Sequence, residues 1–187
     1  MRLAIIVVDM LKGHMATQSI GSKMKGIVPR TKLLLNEARK RGILIVYAND
    51  SHLPTDPWLN YFRGCAIRGT EDAEIIDELK PQENDLVIEK RRMSAFFKTD
   101  LDQILRERDI DTVAVTGINS IACVLFTAAD AASYVFETIL VRDCCASHEE
   151  EFHRAVMKMY DGRPWRGILR VMASRELIDR MGGEPVS

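Results

Sequence analysis

Three side chains of complementary chemistry stand where apolar runs end. Asp9 closes Leu3-Ala-Ile-Ile-Val-Val8, Lys90 follows Leu86-Val-Ile88, and Cys123 lies just beyond Thr112-Val-Ala-Val-Thr116. A thiolate attacks a carbonyl carbon far more readily than a thiol does. A carboxylate can take the thiol proton and later give it to a departing amine. A nearby ammonium group and the first turn of a helix both lower a thiol pKa. The oxyanion formed on attack needs fixed N–H donors, and backbone amides near Asn119 and Cys123 are available for that. Taken singly, each residue has an ordinary structural explanation. A cysteine in an apolar helix is usually a small core residue, an Asp after a strand caps a turn, and Lys90-Arg91-Arg92 reads as a solvated basic run. The joint placement points to nucleophilic catalysis, although spacing alone does not name the reaction.

Bringing these three together requires a particular architecture. The apolar runs Leu3–Val8, Ile43–Tyr47, Leu86–Ile88, Thr112–Thr116 and Glu137–Val141, and a weaker one at Gly167–Met172, are short and unbroken. That is the pattern of strands buried on both faces. Helical segments alternate with them: Pro29–Arg41, Asp100–Arg108, Ile121–Tyr134, Glu149–Tyr160 and Ser174–Met181. The alternation predicts an α/β fold, a parallel sheet sandwiched between helices with right-handed crossovers. In such a sheet, Asp9, Lys90 and Cys123 reach one edge, where ligands sit beyond the carboxyl ends of strands. The segment Asn49–Thr70, with Pro54, Pro57, Gly64 and Gly69, breaks the alternation. Loops of that length in compact domains usually serve function. The whole of 1–187 reads as one domain, with a tail from about Gly182.

Composition narrows the partners. There are 26 basic and 27 acidic residues, a net charge of −1, which makes no electrostatic case for nucleic acid or an anionic membrane. No stretch approaches the roughly 18 apolar residues of a membrane span. The first ten residues lack the ordered regions of a signal peptide, so a cytoplasmic location is expected. Of the four cysteines, none forms a CxxC pair, and the adjacent Cys144 and Cys145 suit packing better than a mutual disulfide. His148 and His153 fall on or near a charged helix with no evident partners.

Five segments carry a resemblance to a known family. They are Ile6-Val-Val-Asp-Met10, Tyr47-Ala-Asn-Asp-Ser-His52, Arg68-Gly-Thr70, Glu89-Lys90 with Ser94-Ala-Phe-Phe-Lys-Thr-Asp-Leu101, and Gly117 through Cys123 to Ala131. In this order they resemble the isochorismatase-like cysteine hydrolases, which include nicotinamidases and N-carbamoylsarcosine amidases. The resemblance runs from Leu3 to about Met172. It implies a three-layer α/β/α fold with a six-stranded parallel sheet and a catalytic set of Asp9, Lys90 and Cys123. It also implies a cis peptide at Ile118–Asn119 that helps shape the oxyanion hole with Cys123. The implied reaction is cleavage of a small non-peptide amide or carbamoyl C–N bond through a thioester. The alternatives are isochorismate-type ether hydrolysis, which does not need the cysteine, and a non-catalytic binding module on the same fold. Members of the family commonly form homodimers or homotetramers, and the substrate is a small molecule.

The sequence departs from the nicotinamidase pattern at several positions. Asp50 and His52 match that group's metal-binding Asp-x-His pair, and a spacing of two puts both on one face of an extended segment. The next expected histidine is Cys65, so a degenerate zinc site of Asp50, His52 and Cys65 is one reading. An unmetallated loop with Asp50 and His52 bonded to each other is the other, and no cofactor is then required. The expected pocket aromatics map to His14 and Phe62. Arg63, Arg91 or Arg92 could hold a substrate carboxylate, though each also suits a solvated surface.

Overall fold

The computed structural model describes residues 1–61, 66–161 and 167–182. The expectations for Phe62, Arg63, Cys65 and the chain beyond Gly182 lie outside the described residues. Among those described, six strands form one all-parallel sheet. They are β1 (Leu3–Val8), β2 (Leu44–Asp50), β3 (Leu86–Lys90), β4 (Thr112–Ile118), β5 (Glu137–Ala146) and β6 (Leu169–Met172). Their order across the sheet is β3-β2-β1-β4-β5-β6.

The central strand shows why the sequence folds this way. All six residues of β1 are buried. With side chains alternating between faces, Leu3, Ile5 and Val7 enter one core and Ala4, Ile6 and Val8 the other. The first core packs beneath α2 (Gln18–Lys40) and α6 (Ser174–Gly182). The second packs beneath α3 (Leu101–Glu107), α4 (Cys123–Ser133) and part of α5 (Glu150–Tyr160). An unbroken apolar run is thus what two opposed helical layers require.

The helix expected at Pro29–Arg41 starts well upstream, at Gln18. Ile20, Met24, Ile27 and Val28 extend the buried stripe of Leu34, Leu35 and Ala38, and that burial outweighs the break usually made by an internal proline. Pro29 itself is exposed, so the carbonyl it leaves unpaired one turn earlier is on the wet side of the helix. A short helix, α1 (Lys12–Ala16), precedes it. Strands β2, β4 and β5 also run past their apolar stretches, because the ladder continues through Asn49, Asp50, Gly117 and Cys145.

One glycine controls how closely the two central strands approach. Gly117 pairs with Val8 across β1 and β4 at a φ of +107°. A Cβ there would lie 2.0 Å from the Val8 carbonyl oxygen. Only glycine adopts that backbone readily and leaves the space. Gly117→Ala is expected to lower the unfolding free energy by about 2 kcal/mol or more, seen as a reduced urea midpoint with an unchanged m-value.

Candidate active site

The strand order reverses between β1 and β4, and the crevice at such a reversal is where open α/β sheets bind ligands. Asp9 emerges from β1 at this point and Cys123 opens α4 just after β4. Lys90 closes β3, two strands away. Its length closes the gap, because Asp50 lies between them, directly paired with Lys90 in the β2–β3 register.

The three charged groups form a compact buried cluster. Lys90 Nζ lies 2.8 Å from Asp9 Oδ2 and donates to Asp50 Oδ1 at 2.5 Å and to the Arg92 carbonyl at 3.2 Å. The Lys90 side chain is 0% exposed. Asp9 takes a positive φ of 53°, and its Oδ1 accepts from the Asp50 amide at 2.7 Å. Its Oδ2 touches the ammonium but has no hydrogen-bond donor in good geometry among the described residues. Asp50 is the member that sequence reasoning placed elsewhere, as a metal ligand. The signal for its place here was its position at the end of β2, between the strands that carry Asp9 and Lys90.

The electrostatics follow from two carboxylates sharing one cation. Burial would depress the Lys90 pKa, but Asp9 and Asp50 outweigh it and raise it, so the lysine is charged. Burial opposes ionisation of Asp50, yet Lys90 and His52 prevail and hold it at about 2. Asp9 receives the remainder: burial and the charge of Asp50 raise its pKa against the pull of Lys90. Asp9 is therefore the carboxylate ready to accept a proton. Burial and the charge of Asp9 likewise push the Cys123 thiol well above its ordinary value, with Lys90 opposing. This corrects the expectation of a lowered thiol pKa. The lysine charge is already shared between two carboxylates, and desolvation of the sulfur outweighs the helix terminus.

The backbone leading to the cysteine is fixed by its own turn. The Ile118–Asn119 peptide is cis. The Asn119 carbonyl accepts the amides of Ala122 at 2.9 Å and Val124 at 3.1 Å, and its side-chain Oδ1 accepts that of Ile121 at 3.1 Å. The Cys123 amide between them has no acceptor among the described residues. Ser120, on the same turn, is fixed by its amide to Ala146 at 2.8 Å and by its hydroxyl to His153 Nδ1 at 3.1 Å. His153 thus has a partner that the sequence did not reveal. Cys144 and Cys145 are buried packing residues, as expected.

A cavity of about 450 Å³ opens over Asp9 and Cys123. Ile20, Trp58, Leu59, Met93, Ile118 and Ile121 give it apolar walls, and His14, Thr17, Ser19 and His148 give it polar ones. His14 lies in the pocket, as the sequence suggested. Trp58 and His148 were missed, since each comes from a loop whose path the sequence does not encode. Arg91 and Arg92 do not reach the cavity as free cations; both pair with Asp56.

Two of the expected metal ligands, Asp50 and His52, lie against each other and the buried lysine. Asp50 Oδ1 is held by Lys90, its Oδ2 lies 3.5 Å from His52 Nε2, and Cys65 is outside the described residues. His52 Nδ1 is buried without a hydrogen-bond partner among the described residues, 4.0 Å from Asp56. The donor atoms that do converge belong to Asp9, His14 and Asp50, within 4.8 Å of one another. This is a chemically acceptable oxygen and nitrogen set. Both carboxylates also contact the Lys90 ammonium, and together they exceed its single charge. No step is assigned to a metal.

Comparison with known proteins identifies the family and the fold. The profile of the isochorismatase domain matches residues 3–168. The crystal structure of N-carbamoylsarcosine amidase from Thermoplasma acidophilum superposes with a TM-score of 0.84 at 33% identity, over 93% of this chain and 97% of that one. Pyrazinamidase of Pyrococcus horikoshii, solved in complex with zinc, gives 0.78 at 26% identity over 92% and 99%. Maleamate amidohydrolase of Pseudomonas putida is 27% identical over 93% of this chain and 86% of its own length. Ureidoacrylate amidohydrolase of Acinetobacter baylyi is 30% identical over 82% and 75%. The chain belongs to the isochorismatase family. Within it, the class is an enzyme, a hydrolase acting on non-peptide C–N bonds.

Lys90→Met would leave Asp9 and Asp50 buried without their cation, and a loss of about 3–5 kcal/mol is expected from denaturant unfolding. The pH dependence gives a second check. An Asp50 pKa held at about 2 contributes stability that is present above the ordinary 3.8 and is lost as pH falls toward 2. Stability measured across that window should fall less steeply with acid in Lys90→Met than in the parent.

Proposed function

We propose that this protein is a cysteine-dependent amidase that cleaves a small amide or carbamoyl compound through a thioester. The observation that carries this reading is that Asp9 and Cys123 line one cavity while the buried Lys90 ammonium contacts Asp9 from beneath it. In the reaction, the substrate carbonyl carbon lies over the Cys123 sulfur with its oxygen toward the Cys123 amide. Asp9 takes the thiol proton as sulfur bonds to carbon, and the oxyanion is stabilised by backbone N–H. Asp9 then protonates the nitrogen, the C–N bond breaks, and ammonia or an amine leaves. Water enters, Asp9 removes its proton, and the thioester is hydrolysed to acid and free thiol. Lys90 stays charged throughout and keeps Asp9 oriented. The neutral Asp9 formed midway is the state that burial and Asp50 already favour.

The relatives act on maleamate, ureidoacrylate and N-carbamoylsarcosine, all amide or carbamoyl compounds bearing a carboxylate. A cavity of this size suits such molecules, and His14, Thr17, Ser19 and His148 can bond a polar end. Ether hydrolysis of the isochorismate type is disfavoured, because it has no use for a cysteine coupled to Asp9. The proposal is completed by a single domain over 1–187, located in the cytoplasm and acting as a homodimer or homotetramer. Partly exposed Phe126 and Phe152 offer apolar surface for such contacts.

Ammonia release measured over a panel of these amides and nicotinamide should identify at least one substrate. Cys123→Ala and Asp9→Asn should each lower kcat by about a thousandfold or more. Absence of turnover across the panel, or full activity in Cys123→Ala, would refute the reading. Because Asp9 must be ionised and its pKa is raised, kcat/KM should fall with acid at a pH above the ordinary carboxylate value of 3.8.

A further inference from the structure

One buried carboxylate near the cavity has no role in the reaction just described. The Asp56 side chain is 0% exposed, yet it belongs to the loop after β2. Its Oδ1 accepts from the Trp58 amide at 3.3 Å and Arg92 at 3.2 Å. Its Oδ2 accepts from Arg91 Nε at 2.9 Å and Arg92 at 3.3 Å. Burial works against the charge, but Arg91, the Trp58 amide and Arg92 overcome it and lower the pKa. The group is an anion held by two guanidinium groups.

Arg92 links this anion to both halves of the site. Its guanidinium lies over the Trp58 indole, 5.3 Å from the ring centroid, and Trp58 forms a wall of the cavity. Its carbonyl accepts a hydrogen bond from the Lys90 ammonium, at 3.2 Å. Fixing one arginine therefore fixes an aromatic wall on one side and a contact of the buried cation on the other. Two partly exposed arginines need no buried carboxylate merely to be stable, since water solvates them well. A charge removed from water at this spot requires another explanation.

We propose that Asp56 is a positioning residue for the active site, acting through Arg92 to hold Trp58 against the bound substrate. Loss of the charge frees Arg92 to turn toward water, and the indole loses the cation that sits on it. The consequence falls on substrate binding more than on the chemical step, because Asp9 and Cys123 keep their own contacts. The kinetic part rests on the amidase reading; the structural part does not.

The test uses Asp56→Asn, Trp58→Leu and the double variant. Asp56→Asn keeps the shape of the side chain and removes its charge. The sequence has two tryptophans, Trp58 and Trp165, so Trp165→Phe isolates the Trp58 signal. In that background, Asp56→Asn should shift emission to the red and increase acrylamide quenching, without any substrate. With an amide that the parent turns over, Asp56→Asn should raise KM about tenfold and change kcat less than about threefold. Trp58→Leu should do the same, and the double variant should be no worse than the poorer single one, because both act through one wall. Unchanged emission, quenching and KM in Asp56→Asn would overturn the proposal, whatever happens to Tm. Losses that multiply in the double variant would also overturn it. If Asp56→Asn fails to fold, Arg92→Met removes the same link while leaving Asp56 on Arg91, and a parental KM there is equally fatal. If the parent turns over no amide, the amidase reading fails on its own, and the fluorescence of Trp58 still decides the role of Asp56.

Discussion

The structure depends on a lysine ammonium buried between two carboxylates. A charge as deeply placed as that of Lys90 costs several kcal/mol to desolvate, and it persists only when well-aligned opposite charges and hydrogen bonds compensate it. Asp9, Asp50 and the Arg92 carbonyl supply that compensation from three different segments. The cluster is an electrostatic weld across the ends of β1, β2 and β3. It also determines which group titrates. One cation cannot keep two buried carboxylates equally ionised, and Asp50, bonded to Lys90 at shorter range, takes the larger share. Asp9 is left with the excess negative charge beside the thiol.

The sheet provides the framework for that cluster. The reversal of strand order between β1 and β4 leaves a crevice that no crossover helix fills. Gly117 lets β4 press against the end of β1, so that Asp9 and the turn leading to Cys123 stand side by side. Beyond that point the pairing of β4 with β5 shifts register, from Val115 opposite Leu140 to Gly117 opposite Cys145. The turn carrying Asn119 and Ser120 is then supported by Ala146 and His153. Regular packing thus gives way to specific hydrogen bonds at the place where chemistry is proposed.

Much of this was legible in the sequence, for physical reasons. Unbroken runs such as Leu3–Val8 specify strands buried on both faces, and their spacing with helical segments specifies a parallel sheet. Strand ends then bring Asp9, Lys90 and Cys123 to one edge without knowledge of a single contact. What depends on register or on loop path was not legible. Asp50 looked like a metal ligand because its spacing from His52 is local, whereas its pairing with Lys90 is set by how β2 and β3 align. The start of α2 was misplaced because a proline reads as a boundary, and the tertiary burial of Ile20 and Met24 is invisible locally. The thiol pKa was expected to move the wrong way, since a nearby lysine is apparent in sequence but the second carboxylate that competes for it is not. His148, Trp58 and the clamp on Asp56 all depend on the path of loops.

The raised thiol pKa of Cys123 has a consequence for the survival of the enzyme. Peroxides oxidise thiolates, and the rate follows the fraction of sulfur that is ionised. A nucleophile that remains protonated until a carbonyl compound arrives is a poor target for sulfenic acid formation during the idle part of its cycle. On the mechanism proposed above, the arrangement that holds a proton on sulfur at rest would also slow its oxidation.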